Sequence, residues 1–198
     1  MTGLKQRELQ AQERRKQLIE IAARLFAEQG MENTSIKDIS TEAGVAQGLI
    51  YHYFRSKEDL LWAIISQYNP IPELAAIFAD AGDRPAREVL PAAAYKALDL
   101  VSSRPDLQNL ARIVLRESLI RPEMQHVLRL MQALGIGFLT RYLDARIAAG
   151  ELRPHNPDVT ARMIVGSVAL LHLTGAPSES QVSEVVESLL SGIEMRQL

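Results

Sequence analysis

The chain has 198 residues, enough for one domain of ordinary size or a small module joined to a larger one. Its 22 Lys and Arg against 24 Asp and Glu give a formal net charge of −2, which excludes a uniformly basic nucleic-acid coat without excluding local patches. Hydrophobic residues at 47% fill a real core and exclude disorder, and the lack of cysteine excludes disulfides, thiolate metal sites and cysteine nucleophiles and fits a reducing cytoplasm.

The first seventeen residues carry no apolar core and so read as no secretory signal. From about residue 11 to 29, Leu18, Ile21, Ala22, Leu25 and Phe26 recur at helical spacing, with Arg15, Lys16, Glu20 and Glu28 between them. Gly30 ends that helix. Ser35 or Thr34 caps a second, short helix reaching about Ala43, and Asp38 is spaced to accept back in a capping box. Gly44 breaks the chain, and a third short helix covers about residues 46–54. Residues 56–59 then cap a fourth, with Leu60, Leu61, Ile64, Ile65 and Tyr68 on one face.

Pro70 and Pro72 close the fourth helix, residues 79–84 read as a loop, and Pro85 opens the next helix, with a kink or late start expected at Pro91. Arg104-Pro105 and Arg121-Pro122 mark two further helix starts. The segment 122–149 is long for one helix and holds Gly135 and Gly137 as points of bending, and Gly150 stops it. Residues 153–157 are a loop, and 158–173 and 180–193 are the last two helices. The longest apolar run, residues 163–171, is roughly half what a membrane-spanning helix needs. The expected fold is all-α, about nine helices, with a seam between a small N-terminal unit, residues 1–57, and a larger helical bundle, residues 58–198. A cytoplasmic location is expected.

Function concentrates in the segment 36–51. Two short helices joined by a glycine turn form a helix-turn-helix pattern, in which Ala43 allows close crossing and Gly44 takes positive φ. Ile36, Ile39, Val45 and Ile50 supply a shared apolar core with Leu25 and Phe26. Such a unit places its second helix in the major groove of DNA. Tyr51, His52 and Tyr53 crowd that helix, Lys57 opens the next one, and Lys37 with Lys5, Arg7, Arg14, Arg15 and Lys16 adds positive charge. Taken singly, Tyr51 and Tyr53 read equally well as amphipathic core residues and the basic arm as merely solvated; the constellation favours DNA.

Residues 16–68 resemble the N-terminal domain of TetR-family transcriptional repressors. The resemblance runs through Leu25-Phe26-Ala27-Glu28-Gln29-Gly30, Thr34-Ser35-Ile36-Lys37-Asp38-Ile39 and Ala43-Gly44-Val45, and ends in Gly48-Leu49-Ile50-Tyr51-His52-Tyr53-Phe54-Arg55-Ser56-Lys57-Glu58-Asp59-Leu60. It implies that Ser35, Lys37, Gln47, Gly48, Tyr51, His52, Tyr53 and Lys57 contact DNA, with Gln47 and Gly48 at base edges, the aromatic trio at phosphates or thymine methyls, and Lys57 at a phosphate. Many members place His just before the Phe, where this chain has Tyr53 and carries the His one residue earlier. That leaves phosphate positioning intact and the base preference unassigned.

The resemblance further implies that the chain beyond about residue 70 binds an effector and dimerises. Met163, Gly166, Leu170, Val182, Val186, Leu189 and Ile193 are the expected dimer interface, though the same helices could instead close the monomer core. A homodimer sets two reading heads one turn of DNA or more apart and so selects a palindromic operator. Tyr95, Arg112, Arg116, Phe138, Tyr142 and His172 are candidate contacts for an unknown small-molecule effector, although residues such as Arg112, Arg116 and His172 are more often surface or interhelical partners. No cofactor, metal site or catalytic group is expected: no metalloprotease, nucleophile-elbow or P-loop motif occurs, and Gly135-Ile136-Gly137 follows no strand. The expected activity is that of a ligand-responsive regulator, a repressor released by its effector. The alternative is a helix-turn-helix dimer regulated by a protein partner, or an activator, with no small-molecule pocket. Split at residue 57, the charge is nine basic against seven acidic residues in the head and thirteen against seventeen in the remainder.

Overall fold

The computed structural model describes residues 2–79, 81–175 and 177–194. Helix α1, Thr2–Gln29, begins well before the expected residue 11, so the basic arm is a continuous part of the helix. It buries Leu18, Ile19, Ala22, Ala23 and Phe26, while Ile21 and Leu25 are half-buried. The stripe is broader than the sequence pattern because α1 packs against α2, Ile36–Glu42, α4, Lys57–Gln67, and α7, Pro105–Ser118. Helix α3, Gln47–Tyr53, packs on α2.

The ends of these short helices are fixed by side chains. Ser35 Oγ accepts the Asp38 amide at 3.1 Å, and the Asp38 carboxylate accepts the Ser35 amide at 2.8 Å. Hydrogen bonds from the Ser35 hydroxyl and amide hold the Asp38 carboxyl below its ordinary pKa. Ser56 caps α4 through the Asp59 amide at 3.2 Å. Gly30 and Gly44 both take positive φ, +87° and +64°, which lets the chain turn sharply out of α1 and α2. A Cβ at Gly44 would meet nothing within 4 Å, but at Gly30 it would come within 2.7 Å of the Arg116 guanidinium carbon.

After α4 the structure adds a short helix, α5, Ile71–Ala79, to the nine expected places. The proline pair at 70 and 72 hides it in the sequence, yet proline is tolerated in a first helical turn, where the amide has no partner. Asp80, in the loop expected to follow, lies outside the described residues. Helix α6, Ala86–Ser102, starts ahead of Pro91 and runs through it, so the late start does not occur. Helix α8, Pro122–Ala148, is one helix through both glycines. Helix α9, Pro157–Thr174, is capped by Asn156, and α10, Glu179–Ser191, by a Ser178–Gln181 capping box. Among the described residues there is no strand, only a bridge between Leu152 and Glu194. No described helix is long and apolar enough to cross a membrane.

The chain forms two compact units, one of residues up to Asn69 with Arg104–Leu128, the other of Pro70–Ser103 with residues from Arg129 onward. The second is built on α6, α9 and α10, with Leu90, Leu143, Ala161, Val182, Val186 and Leu190 in its core. Its loop between α5 and α6 is held by Arg146, buried on α8, which donates to the Asp83 carbonyl at 2.7 Å and lies 3.7 Å from Glu151. Tyr142 donates to the Arg84 carbonyl at 2.6 Å and rests against Phe78.

Two measurements check this packing. Gly30→Ala and Gly44→Ala should each lose about 1–3 kcal/mol in denaturant unfolding, because both positions hold positive φ, while the exposed Arg116 guanidinium beside position 30 can swing aside. Burial, first of all, pushes the hydroxyls of Tyr68 and Tyr142 up to about 12. The neutral phenol is thus the form the fold favours: its contribution is whole below the ordinary value of about 10 and is lost as pH rises through about 12. Tyr68→Phe and Tyr142→Phe should each flatten the alkaline fall in unfolding free energy over that window.

Candidate nucleic-acid interface

Helix α3 is seven residues long, too short to persist alone, and its conformation is imposed by what it buries. Ile50 is fully buried and Phe54, which ends the helix, nearly so. Fixing those two inward turns Gly48, Tyr51 and His52 outward, while Gln47, one turn before Ile50, is open at the N-terminal end of the helix; all four are exposed. Tyr51 is 56% exposed, more than a core phenol would be. The His52 ring meets Tyr53 edge-on at 5.1 Å, and Tyr53 is half-buried in a groove with Leu49 and the α1 residues Arg7, Gln10, Ala11 and Arg14. Of the shared core read from the sequence, Phe26, Ile39 and Ile50 are fully buried, and Leu25, Ile36 and Val45 half-buried.

Ser35 and Lys37 are exposed at the start of α2, on the outside of the helix-turn-helix. Ser35 combines that position with its capping bond. Lys57 departs from expectation. Its ammonium turns inward and donates to the carbonyl oxygens of Met31, at 2.8 Å, and Thr34, at 3.0 Å, so two of its three protons are engaged within the protein. Arg15 likewise lies over the Phe54 ring at 5.1 Å, and Lys16 pairs with Glu20 at 3.7 Å. The extended α1 is what sequence reasoning missed; it carries Arg7 and Arg14 alongside α3 as parts of a helix. Its early residues lack an apolar stripe, so periodicity could not reveal it.

The residues expected at an effector fall in different units. Arg112 and Arg116 are exposed on α7 in the first. Tyr95, Phe138, Tyr142 and His172 belong to the second. There Tyr142 is committed to the Arg84 carbonyl, Phe138 lies under the Arg141 guanidinium at 4.8 Å, and His172 Nδ1 is 3.4 Å from Ser102 Oγ. The expected dimer residues also separate. Val182 and Val186 are 0% exposed inside the protomer's own core, which corrects their assignment to an interface: a side chain with no free surface cannot meet a partner. Leu189 and Ile193 pack partly against the same core. Met163, Gly166 and Leu170, by contrast, are exposed in line along α9, with Val159 and Leu173 extending the row.

A capped two-helix unit with a glycine turn, a buried inner face and a polar aromatic outer face is a helix-turn-helix DNA-binding domain. Residues 18–64 match the family of bacterial regulatory proteins, tetR family, and residues 88–192 match the AefR-like transcriptional repressor, C-terminal domain. The chain therefore belongs to the TetR family of regulators. It is 36% identical over 91 residues to the HTH-type transcriptional repressor KstR2 of Rhodococcus jostii (strain RHA1), covering 43% of this chain and 44% of that protein. To the HTH-type transcriptional regulator HbdR of Aromatoleum sp. (strain CIB) it is 51% identical over 51 residues, 26% of this chain and 22% of the other. The alignments thus span less than half the length of these curated relatives. Among solved structures, the SmeT–triclosan complex superposes with a TM-score of 0.72 at 22% identity, over 92% of each chain. AibR in complex with isovaleryl coenzyme A and operator DNA superposes at 0.70 with 23% identity, over 89% of this chain and 98% of that one.

Ser35→Ala removes the acceptor for the Asp38 amide and should cost about 1 kcal/mol of stability in denaturant unfolding.

Proposed function

We propose that this chain is a transcriptional repressor that binds a palindromic operator as a homodimer and is released by a small-molecule effector. Residues 1–57 bind DNA, and residues 58–198 bind the effector and dimerise. The observation that carries the reading is the exposure of Gly48, Tyr51 and His52 on the side of α3 away from buried Ile50, with Gln47 exposed at the helix start. Gln47 and Gly48 lie at the N-terminal end of α3, the end that meets base edges when such a helix enters the major groove. Lys37 and Ser35 serve the phosphate backbone from α2. Tyr51, His52 and Tyr53 supply phenol and imidazole groups to phosphates or thymine methyls, and Lys57 retains one proton for a phosphate.

Dimerisation uses the exposed row on α9. Met163, 51% exposed, and Leu170, 62% exposed, are apolar side chains left without cover in the protomer, one helical face apart from the charged Arg162–Asp158 pair. Effector binding belongs to the second unit, with Tyr95, Phe138 and His172 as its polar and aromatic contacts. The ligand complexes of AibR and SmeT support small-molecule control in proteins of this fold. Release is a population shift: a ligand favouring the state with the wrong head spacing lowers operator affinity by its preference between states.

Selection of bound duplexes from a random pool tests this directly. The expected product is a two-fold symmetric sequence; recovery of no preferred sequence would contradict the reading. On the selected duplex, Gln47→Ala should cost about 1–3 kcal/mol and relax preference at one position in each half-site, whereas Lys37→Ala should weaken all sequences alike and reduce the salt slope by about 1. Leu170→Glu should shift the chain from dimer to monomer in sedimentation and lose operator binding with it.

A further inference from the structure

The turn from α1 into α2, Met31 to Thr34, is gripped from two directions. From α4, Lys57 donates to the carbonyls of Met31 and Thr34 at 2.8 and 3.0 Å. From α7, the Glu117 carboxylate accepts the Met31 amide at 3.3 Å. The other oxygen of Glu117 accepts from Arg121 Nε at 3.0 Å, and the Arg121 guanidinium also pairs with Glu32 inside the turn and lies 3.9 Å from Glu58 in the first turn of α4. The Thr34 amide donates to the Met31 carbonyl at 3.3 Å and the Thr34 hydroxyl to the Gly30 carbonyl at 2.8 Å, so Met31 and Thr34 are tied together. The Ser35 cap follows at once, and α3 packs on the helix it starts.

Glu117 is 2% exposed. A carboxylate withdrawn that far from water is costly, and an apolar side chain of similar volume would commonly hold two helices together as well or better. Its two hydrogen bonds run to the backbone of the turn and to the arginine that spans the turn and α4. We propose that Glu117 is a positioning residue for operator recognition: it fixes the α1–α2 turn relative to α7 and α4, and so sets the orientation in which α3 meets DNA. The inference rests on the DNA-binding reading above. Glu117 touches no base or phosphate; it acts through Met31 and Arg121.

The test uses the full chain, a duplex selected from a random pool by the parent protein, and a duplex of unrelated sequence at the same salt. Glu117→Leu removes both hydrogen bonds while filling the space, and Glu117→Gln keeps an oxygen for the Met31 amide but loses the charge. Glu117→Leu is expected to lose about tenfold on the selected duplex and less than about twofold on the unrelated one, at a temperature where both proteins are fully folded. Hydrogen exchange at the Met31 amide should rise in the same variant while that of Ile19 and Phe26 stays protected, and Glu117→Gln should recover most of the selective binding. A folded Glu117→Leu with parental affinity for the selected duplex, or with equal losses on both duplexes, would overturn the inference and leave Glu117 as packing. Where Glu117→Leu does not fold, Glu117→Met, which also fills the space and accepts no hydrogen bond from the Met31 amide, decides on the same two duplexes: a loss confined to the selected one supports the inference, and parental binding or equal losses overturn it. A parent that selects no duplex overturns the DNA-binding reading and this inference together, an outcome distinct from a selective parent with an indifferent variant.

Discussion

The fully buried side chain of Ile50 is the constraint on which the reading head depends. Helices α2 and α3 have seven residues each, about half of what an isolated helix needs to persist in water. Neither has the hydrogen bonds to stand alone, so both are helical because tertiary burial makes them so. Ile39 and Ile50 enter a core completed by Phe26, Phe54 and the buried face of α1. Burying one such side chain contributes about 1.5–3 kcal/mol, a large share of the 5–15 kcal/mol that separates folded from unfolded domains. The same burial settles direction: with Ile50 inward, helical geometry leaves residues 48, 51 and 52 outward, and Gln47 is exposed as the first residue of the helix.

Around that apolar anchor the charges are largely used within the protein. Arg24 bridges Glu28 at 3.2 Å and Glu42 at 2.5 Å, tying α1 to α2, while Arg15 covers Phe54 and Lys57 holds the α1–α2 turn. On the proposed reading, affinity for DNA comes from a few placed contacts in each of two heads rather than from bulk attraction. Buried Glu117 extends the same theme, since its carboxylate serves a backbone amide and an arginine inside the unit.

The short helices, their glycine turns and the Ser35–Asp38 box were legible because each rests on local chemistry: a cap three residues from its acceptor, a glycine where φ is positive, an apolar residue at helical spacing. The exposed residues of α3 came instead from the family resemblance, for Gln47 and Gly48, and from the crowding of polar-tipped aromatics at Tyr51, His52 and Tyr53. What sequence could not show was non-local. Lys57 stands 26 residues from the Met31 carbonyl it holds, and Glu117 stands 86 residues from the Met31 amide, so no spacing rule connects them. Val182 and Val186 belong to an amphipathic stripe that fits an interface or a monomer core equally well, and only the packing of α10 on α6 and α9 decides for the core. Helix α5 lay hidden behind two prolines, which mark a helix end and a helix start with the same residue.

The central claim is that the exposed residues of α3 are the surface that meets DNA. Amide chemical-shift mapping of the full chain on titration with its selected duplex tests it most directly. The account predicts the largest changes at Gln47, Gly48, Tyr51 and His52, smaller ones at Ser35 and Lys37, and little change along the exposed row of α9. Changes centred on α9 or α10, with α3 unmoved, would contradict it.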